Sequence, residues 1–397
     1  MSTYVKHKLD DKKIVLELPT GTLSVEIEET LIDPHELFGF AARANPKRGF
    51  LFMSKVLGKH YPTSPKLMRH IHNLLAQQIP KKCSSPVVFI AMAETAIGLG
   101  QGVFEQFRLM NPNIEALFLH STRYHIPDFE LVEFEEAHSH APRQFLHLPK
   151  DADLVNLFMS ARSIVLIDDE ASTGNTFVNL VNSCRLLNPQ IENVHLSVIT
   201  NFMGAKNSEN DYLTDRFGLS TSLGCMLTGS YTFAKCDYSI IAEESQSFSS
   251  SKVNGATTLF GRCGLARSLS PSSEFVSVLS SRLNPSDKIL LVGTGEFMHF
   301  PFLLGCDLEE RGFNVVVQSS TRSPILKWGD ISEKLSFPDN YNEGITNFLY
   351  NVSPGQYDKI VICHETPVND QLIAFADILG ANLLQITESE IEQNSLC

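Results

Sequence analysis

The stretch VLIDDEASTG, residues 165–174, ends an apolar run in three consecutive carboxylates, Asp168, Asp169 and Glu170, and then turns through Ser-Thr-Gly. Like charges side by side at the end of a buried strand repel one another and lose hydration, so the arrangement calls for a cation or a set of donors to compensate it. Upstream, Ser163-Ile164-Val165-Leu166-Ile167 reads as a strand, and downstream a helix is expected from near Phe177. The turn Ser172-Thr173-Gly174-Asn175-Thr176 presents backbone N–H groups and hydroxyls at that helix N-terminus, where a phosphate is well received, and Gly174 lets the backbone come close. Asp168 and Asp169 can accept hydrogen bonds from a vicinal diol or hold Mg2+ through oxygen. A phosphate at one end and a diol at the other describe a ribose 5-phosphate.

Outward from this motif the same rhythm recurs. SPVVFIAMAETAIGLGQGVFEQF, ALFLHSTR (116–123) and NVHLSVITNF (193–202) are apolar strands alternating with small-residue loops and helical stretches, the pattern of a parallel sheet with helices on its faces. Before them, residues 13–29 alternate apolar and polar about a Pro-Thr-Gly-Thr turn and predict a β-hairpin. Leu67, Ile71, Leu74, Leu75 and Ile79 have helical spacing, with Ser64 as N-cap and Pro65 in the first turn. Strand–turn–helix–strand patterns return at 288–324 and 358–387, predicting a second, smaller α/β domain. The expected division is 1–245, a Ser-rich connection at 246–286, and 287–397.

With 32 Lys+Arg against 45 Asp+Glu, net charge −13, the surface is not built for non-specific attraction to nucleic acid. No apolar run approaches the ~18 residues of a membrane span, and the N-terminus lacks the apolar core of a leader, so a cytoplasmic chain is expected. Eight cysteines stand singly with no C-x-x-C pair, which reads as reduced, mostly buried thiols.

The strand, acidic pair, T-G-N-T turn and helix resemble the phosphoribosyl-diphosphate signature of the type I phosphoribosyltransferases. That resemblance implies a parallel sheet with helices on both faces, Mg2+ as cofactor, and phosphoribosyl diphosphate and a base or nucleotide as partners. It implies that Asp168 and Asp169 contact the ribose hydroxyls and the metal, and that Ala171, Ser172, Thr173, Gly174, Asn175 and Thr176 wrap the 5-phosphate. Glu170 departs from the usual aliphatic residue. AMAETAIGLGQG (91–102) stands where such enzymes bind pyrophosphate, with Glu94, Thr95 and glycines 98, 100 and 102, and it lacks the G-x-G-x-x-G dinucleotide fingerprint. Residues 120–149 occupy the position of a mobile lid. There Arg123 is a candidate for pyrophosphate oxygens. His138 and His140 are open to acid–base, leaving-group, metal-binding or purely solvated roles. The orotate-type K-x-x-x-H-G lid is missing, so no pyrimidine acceptor carries over. Many enzymes of this fold form homodimers, and both acceptor and oligomeric state stay open.

Thr321-Arg322-Ser323-Pro324 after a strand, with VGTGEF (292–297), WGDI (328–331), NFLYN (347–351) and HETP (364–367), resembles the TRSP domain. That domain accompanies a divergent phosphoribosyltransferase domain in proteins of bacterial tellurium-resistance and stress-response gene clusters, and the resemblance runs from about Phe38 to Thr387. It implies transfer of a phosphoribosyl group to or from a nitrogen base in making a nucleoside-like metabolite. A non-catalytic nucleotide sensor, and a nucleoside phosphorylase or hydrolase, are the rival readings. If the second sheet is parallel, Thr294, Gly295, Glu296, Arg322, Ser323 and Glu365 converge on its carboxyl edge, either as a second ligand site or with Arg322 and Glu365 as a structural ion pair.

Overall fold

Chain order in the first unit is β1 (Lys13–Leu18), β2 (Gly21–Thr30), α1 (Pro34–Leu37), β3 (Phe38–Ala42), β4 (Phe50–Ser54), α2 (Pro65–Gln78), β5 (Val87–Ala91), α3 (Ile97–Met110) and β6 (Ala116–His120). It continues through β7 (Leu131–Glu135), β8 (Arg143–His147), α4 (Ala152–Ser160), β9 (Ser163–Ala171), α5 (Asn175–Leu187), β10 (Asn193–Asn201), α6 (Asn210–Phe217) and β11 (Ser220–Lys235). The computed structural model describes residues 13–394 apart from 44, 46, 47, 82, 136–142, 237–257 and 259.

A seven-stranded sheet runs β1-β2-β11-β10-β9-β5-β6. From β11 to β6 the strands are parallel, and the β1–β2 hairpin joins antiparallel at the far edge. Strands β5 and β6 and the first five residues of β9 are almost wholly apolar and buried on both faces, as a parallel sheet covered by helices requires. Phe89 and Ala91 point into a core shared with α2 and α3, whereas Val88 and Ile90 point into one shared with α4, α5 and α6. Helix α2 begins where Ser64 accepts from the Leu67 N–H at 3.3 Å and Pro65 takes the first turn. The chain leaves β5 for β6 on one side and builds β9, β10 and β11 on the other. The order therefore reverses between β5 and β9, and the loops after these two strands flank a crevice at the carboxyl edge.

The second unit contains β12 (Ser268–Pro271), α7 (Ser273–Ser280), β13 (Lys288–Gly293), α8 (His299–Glu310), β14 (Asn314–Ser319), β15 (Lys334–Pro338), β16 (Thr346–Tyr350), β17 (Lys359–His364), α9 (Asp370–Leu379), β18 (Asn382–Gln385) and β19 (Ile391–Asn394). Its parallel sheet β14-β13-β17-β18 has its own reversal between β13 and β17. One face is covered by α9. The other shares a continuous apolar cluster with α2 and α3 of the first unit, and α8, with eight of its residues buried, lies in that cluster. A helix apolar nearly all round is one enclosed by protein. Here it cements the two units together.

No helix among the described residues is long and apolar enough to cross a membrane. The seven described cysteines are free, and burial pushes Cys184, Cys306 and Cys363 up to about 12.

Candidate active site

One cavity opens at the reversal between β5 and β9. Its walls are Met92–Thr95, Arg123, Asp168–Gly174, Thr176 and Phe177 of the first unit, a hood formed by Arg43, Arg48, Leu51 and His60, and Thr321, Arg322 and Ser323 of the second unit. Strand β9 carries its hydrogen-bonded pairing through the carboxylates, with Asp168 opposite Val198 and Glu170 opposite Thr200 of β10. The acids are thus held on a rigid element. Asp168 accepts from the Asp169 N–H at 2.9 Å. Burial, with Glu170 next door, raises Asp169 to about 6, the signature of a carboxylate whose charge the protein leaves largely uncompensated.

The third acid has a different fate. Both oxygens of Glu170 lie 2.8 Å from Arg48 Nη2, and that guanidinium sits 4.5 Å over the Phe50 ring and 5.8 Å from Tyr231. Burial works against the Arg48 charge, but Glu170 outweighs it and raises the group further. Glu170 therefore anchors the β3–β4 hood over the mouth, which accounts for a charge where an aliphatic residue was expected.

Beyond the acids, Gly174 has φ 69°, a left-handed conformation open to glycine, and as N-cap of α5 it supplies no side-chain acceptor; Thr173 Oγ1 accepts from the Asn175 N–H at 3.4 Å. The start of a helix holds amides that need an acceptor from outside it, and this one borders the cavity. Asn175 is turned away: its amide oxygen accepts from Arg216 at 2.6 Å, and it is not part of the cavity wall.

The loop after β5 is fixed from below. The Ala93 N–H donates to Ser121 Oγ at 2.8 Å, Gln144 donates to the Ala93 carbonyl at 3.3 Å, and the Ala93–Glu94 peptide is cis. Glu94 pairs with the fully buried Lys59 at 2.6 Å. Burial would raise Glu94, but Lys59 and Arg322 outweigh it and hold its carboxyl below the usual range. Burial, reinforced by Lys59, lowers His60 to about 3, so its ring is neutral at physiological pH. Glycines 98, 100 and 102 do not belong to this loop. They lie inside α3, where a Cβ at Gly100 would overlap Ala91 and one at Gly102 the His72 ring. They are there for close helix packing, a correction to the expected phosphate role.

Arg123 reaches the cavity from the end of β6. Its N–H donates to Glu296 Oε1 at 2.9 Å, and Thr122 Oγ1 donates to Glu296 Oε2 at 2.7 Å. The lid position is occupied by the β7–β8 pair; His138 and His140, between these strands in sequence, lie outside the described residues.

Residues 37–230 match a family described as phosphoribosyl transferase, and residues 261–381 match one described as the TRSP domain C-terminal to it. The chain is a phosphoribosyltransferase domain joined to a TRSP domain. Among curated proteins none matches. Solved structures similar to the chain include the adenine phosphoribosyltransferase of Rhodothermus marinus (12% identity, 49% of this chain and 97% of that one, TM-score 0.31). The Trypanosoma brucei adenine enzyme in complex with AMP, pyrophosphate and ribose-5-phosphate is similar at 13% identity, over 50% and 82%, TM-score 0.33. The orotate phosphoribosyltransferase of Francisella tularensis stands at 16%, 40% and 65%, TM-score 0.25.

The TRSP domain departs from expectation in how its carboxyl edge is used. Glu296 and Glu365 do converge at the β13–β17 reversal, but the space between them is taken by Arg262. Its Nη1 and Nη2 lie 2.8 and 2.7 Å from the two Glu365 oxygens, and its Nε lies 3.0 Å from Glu296. Tyr341 donates to the same Glu365 at 2.7 Å. Arg322 does not pair with Glu365; it pairs with Glu343 at 2.7 Å and faces the phosphoribosyltransferase cavity with Thr321 and Ser323. The hood residues Arg43, Arg48 and His60, with Lys59 behind them, were missed by sequence reasoning. The signal available was the alternating FGFAA and FLFMS on either side of a turn, a hairpin with arginines at its bend.

Proposed function

We propose that this cavity binds phosphoribosyl diphosphate with Mg2+ and exchanges its pyrophosphate for a nitrogen base at the anomeric carbon. The observation that carries the reading is that the acidic pair, the α5 N-terminus, the loop after β5 and Arg123 all line one cavity at a sheet reversal. In this reading Asp168 and Asp169 orient the ribose hydroxyls, Ala171–Gly174 and Thr176 receive the 5-phosphate, and Ala93–Thr95 with Arg123 receive the pyrophosphate. The base nitrogen bonds to the anomeric carbon as the bond from that carbon to the pyrophosphate oxygen breaks, the electron pair leaves on pyrophosphate, and the proton of the base nitrogen is released to water or to the departing pyrophosphate. Arg123 meets the departing charge.

The residues fit Mg2+. Two hard carboxylates stand together, one of them with its charge uncompensated, and no cluster of three or more His, Cys, Asp and Glu forms a protein-only cage among the described residues. Mg2+ is usually bound by one or two carboxylates and completed by phosphate oxygens. When bound, it would help neutralise the pyrophosphate. The acceptor base, and the part played by His138 and His140, belong to the same proposal.

The test is the double substitution Asp168→Asn/Asp169→Asn. It replaces two half-buried carboxylates with amides of the same shape, so the protein is expected to stay folded. Mg2+-dependent affinity for phosphoribosyl diphosphate should fall about a hundredfold by calorimetry, the loss of two charge-assisted contacts. Unchanged binding in the folded variant would sink the assignment. Pyrophosphate release on addition of candidate bases separates an enzyme from a sensor, which binds without turnover.

A further inference from the structure

Resting on that reading, we infer that the diphosphate-binding end of the cavity is built by both domains, with Arg322 of the TRSP domain as a diphosphate-binding residue. Three observations carry this. The first is position: Thr321, Arg322 and Ser323 form part of the same cavity wall as Glu94, Thr95 and Arg123, and the side chain of Arg322 is 10% exposed, toward that cavity. A guanidinium has five N–H donors in a planar fork that matches phosphate oxygens, and the pair with Glu343 engages Nη2.

Rigidity is the second. Thr321 and Phe348 exchange backbone hydrogen bonds of 2.9 and 2.7 Å, and the Tyr350 hydroxyl donates to the Ser323 carbonyl at 2.7 Å while accepting from the Ile325 N–H at 2.8 Å. Arg43 bridges Ile325, and the Leu326 N–H donates to Ala42 at 2.9 Å, so the segment after β14 runs along the hood hairpin. The guanidinium itself is held over the Tyr124 ring at 4.6 Å. A charged fork mounted this way meets an anion without reorganising.

Thirdly, the TRSP domain also sets the other groups at that end. Glu296 accepts from Thr122 Oγ1 and the Arg123 N–H, and Lys59, the partner of Glu94, donates to the Gly295 carbonyl at 2.8 Å and Ser319 Oγ at 3.0 Å. Glu94 and Arg123 are thus each tied to the TRSP domain, Glu94 through Lys59 and Arg123 through its backbone N–H.

The experiment titrates the full chain, with Mg2+, with inorganic pyrophosphate, phosphoribosyl diphosphate and ribose 5-phosphate in turn. Arg322→Gln/Glu343→Gln removes the buried pair as a unit and so avoids a stranded carboxylate. It is expected to weaken pyrophosphate and phosphoribosyl diphosphate about tenfold, one charge-assisted contact, and to leave ribose 5-phosphate within about twofold. If the folded double variant holds pyrophosphate as the wild type does, or loses all three ligands equally, Arg322 is not a diphosphate residue. Should it fail to fold, R322K decides: a several-fold loss of pyrophosphate alone supports the role, and unchanged affinity overturns it. A wild-type chain that binds none of the three ligands defeats the phosphoribosyl reading itself and this inference with it.

Discussion

Two crevices of the same topological kind lie in this chain, and they are used in opposite ways. At the β5–β9 reversal the carboxylates Asp168 and Asp169 face a cavity, whereas at the β13–β17 reversal Glu296 and Glu365 face Arg262, which is 1% exposed. An open parallel sheet places its ligand site at such a reversal. The TRSP crevice is filled by the chain's own guanidinium, bidentate on Glu365. The same geometry that leaves an open cavity in one sheet is filled by an internal ion network in the other. Topology therefore marks the place, and the local charge balance decides whether anything from solvent is wanted there.

The largest effect expected is on the filled crevice. Arg262→Met leaves two buried carboxylates without their cation and should cost about 3–5 kcal/mol in urea unfolding, whereas Arg262→Met/Glu296→Gln/Glu365→Gln should recover much of it. A small loss in the single variant would mean that water or ions enter this crevice too, and the contrast would fail.

A smaller effect belongs to the open crevice and has a defined sign. Asp169 is raised from 3.8 to about 6, so the folded state holds the proton more tightly than the unfolded chain does. The stabilisation from that proton is complete below 3.8 and is lost as pH rises from there through about 6, on the order of 3 kcal/mol. The difference in stability between wild type and Asp169→Asn should follow this window in thermal melts, and Mg2+ stabilisation should grow as pH rises through it. A flat difference would mean that the charge is already compensated, as at Arg262.

The smallest effect concerns Glu170, which is in the open crevice by sequence and belongs to the hood by contact. Glu170→Leu should cost about 1–2 kcal/mol, because it leaves the mostly buried Arg48 guanidinium with only the neighbouring Asp169 charge and the Phe50 and Tyr231 rings to offset its burial, and Arg48→Met/Glu170→Leu should restore it. Mg2+-dependent ligand affinity should change little. A large loss of affinity would move Glu170 from the hood to the ligand set.

Much of the fold was legible because its signals are short-range. Apolar runs, the Ser64–Pro65 start of α2 and the β1–β2 alternation each depend on a few neighbouring residues. The strand, acids, glycine turn and helix of 163–187 also sit within one β–α unit, and the structure brings Asp168, Asp169, Ser172, Thr173, Gly174 and Thr176 to one cavity as that unit dictates. The glycines of 98–102 were misread because a glycine allowing a tight helix contact looks, in sequence, like one opening a loop. The difference lies in Ala91 and His72 on other elements. Arg262 falls in the stretch expected to be a Ser-rich connection, where nothing local marks a residue that will be enclosed by two glutamates.

The amino-acid sequence by itself determined the strand–acid–turn–helix unit, the two α/β alternations and the order of the two domains. Each is written in backbone propensity and side-chain period within a window of a few turns. The tertiary structure alone decided which charge meets which. Arg48 finds Glu170 across 122 residues, Thr122 finds Glu296 across 174, and Arg322 of one domain enters the cavity of the other. The energy of a buried charge depends on the partner delivered to it in space, and packing of the shared core around α8 makes that delivery.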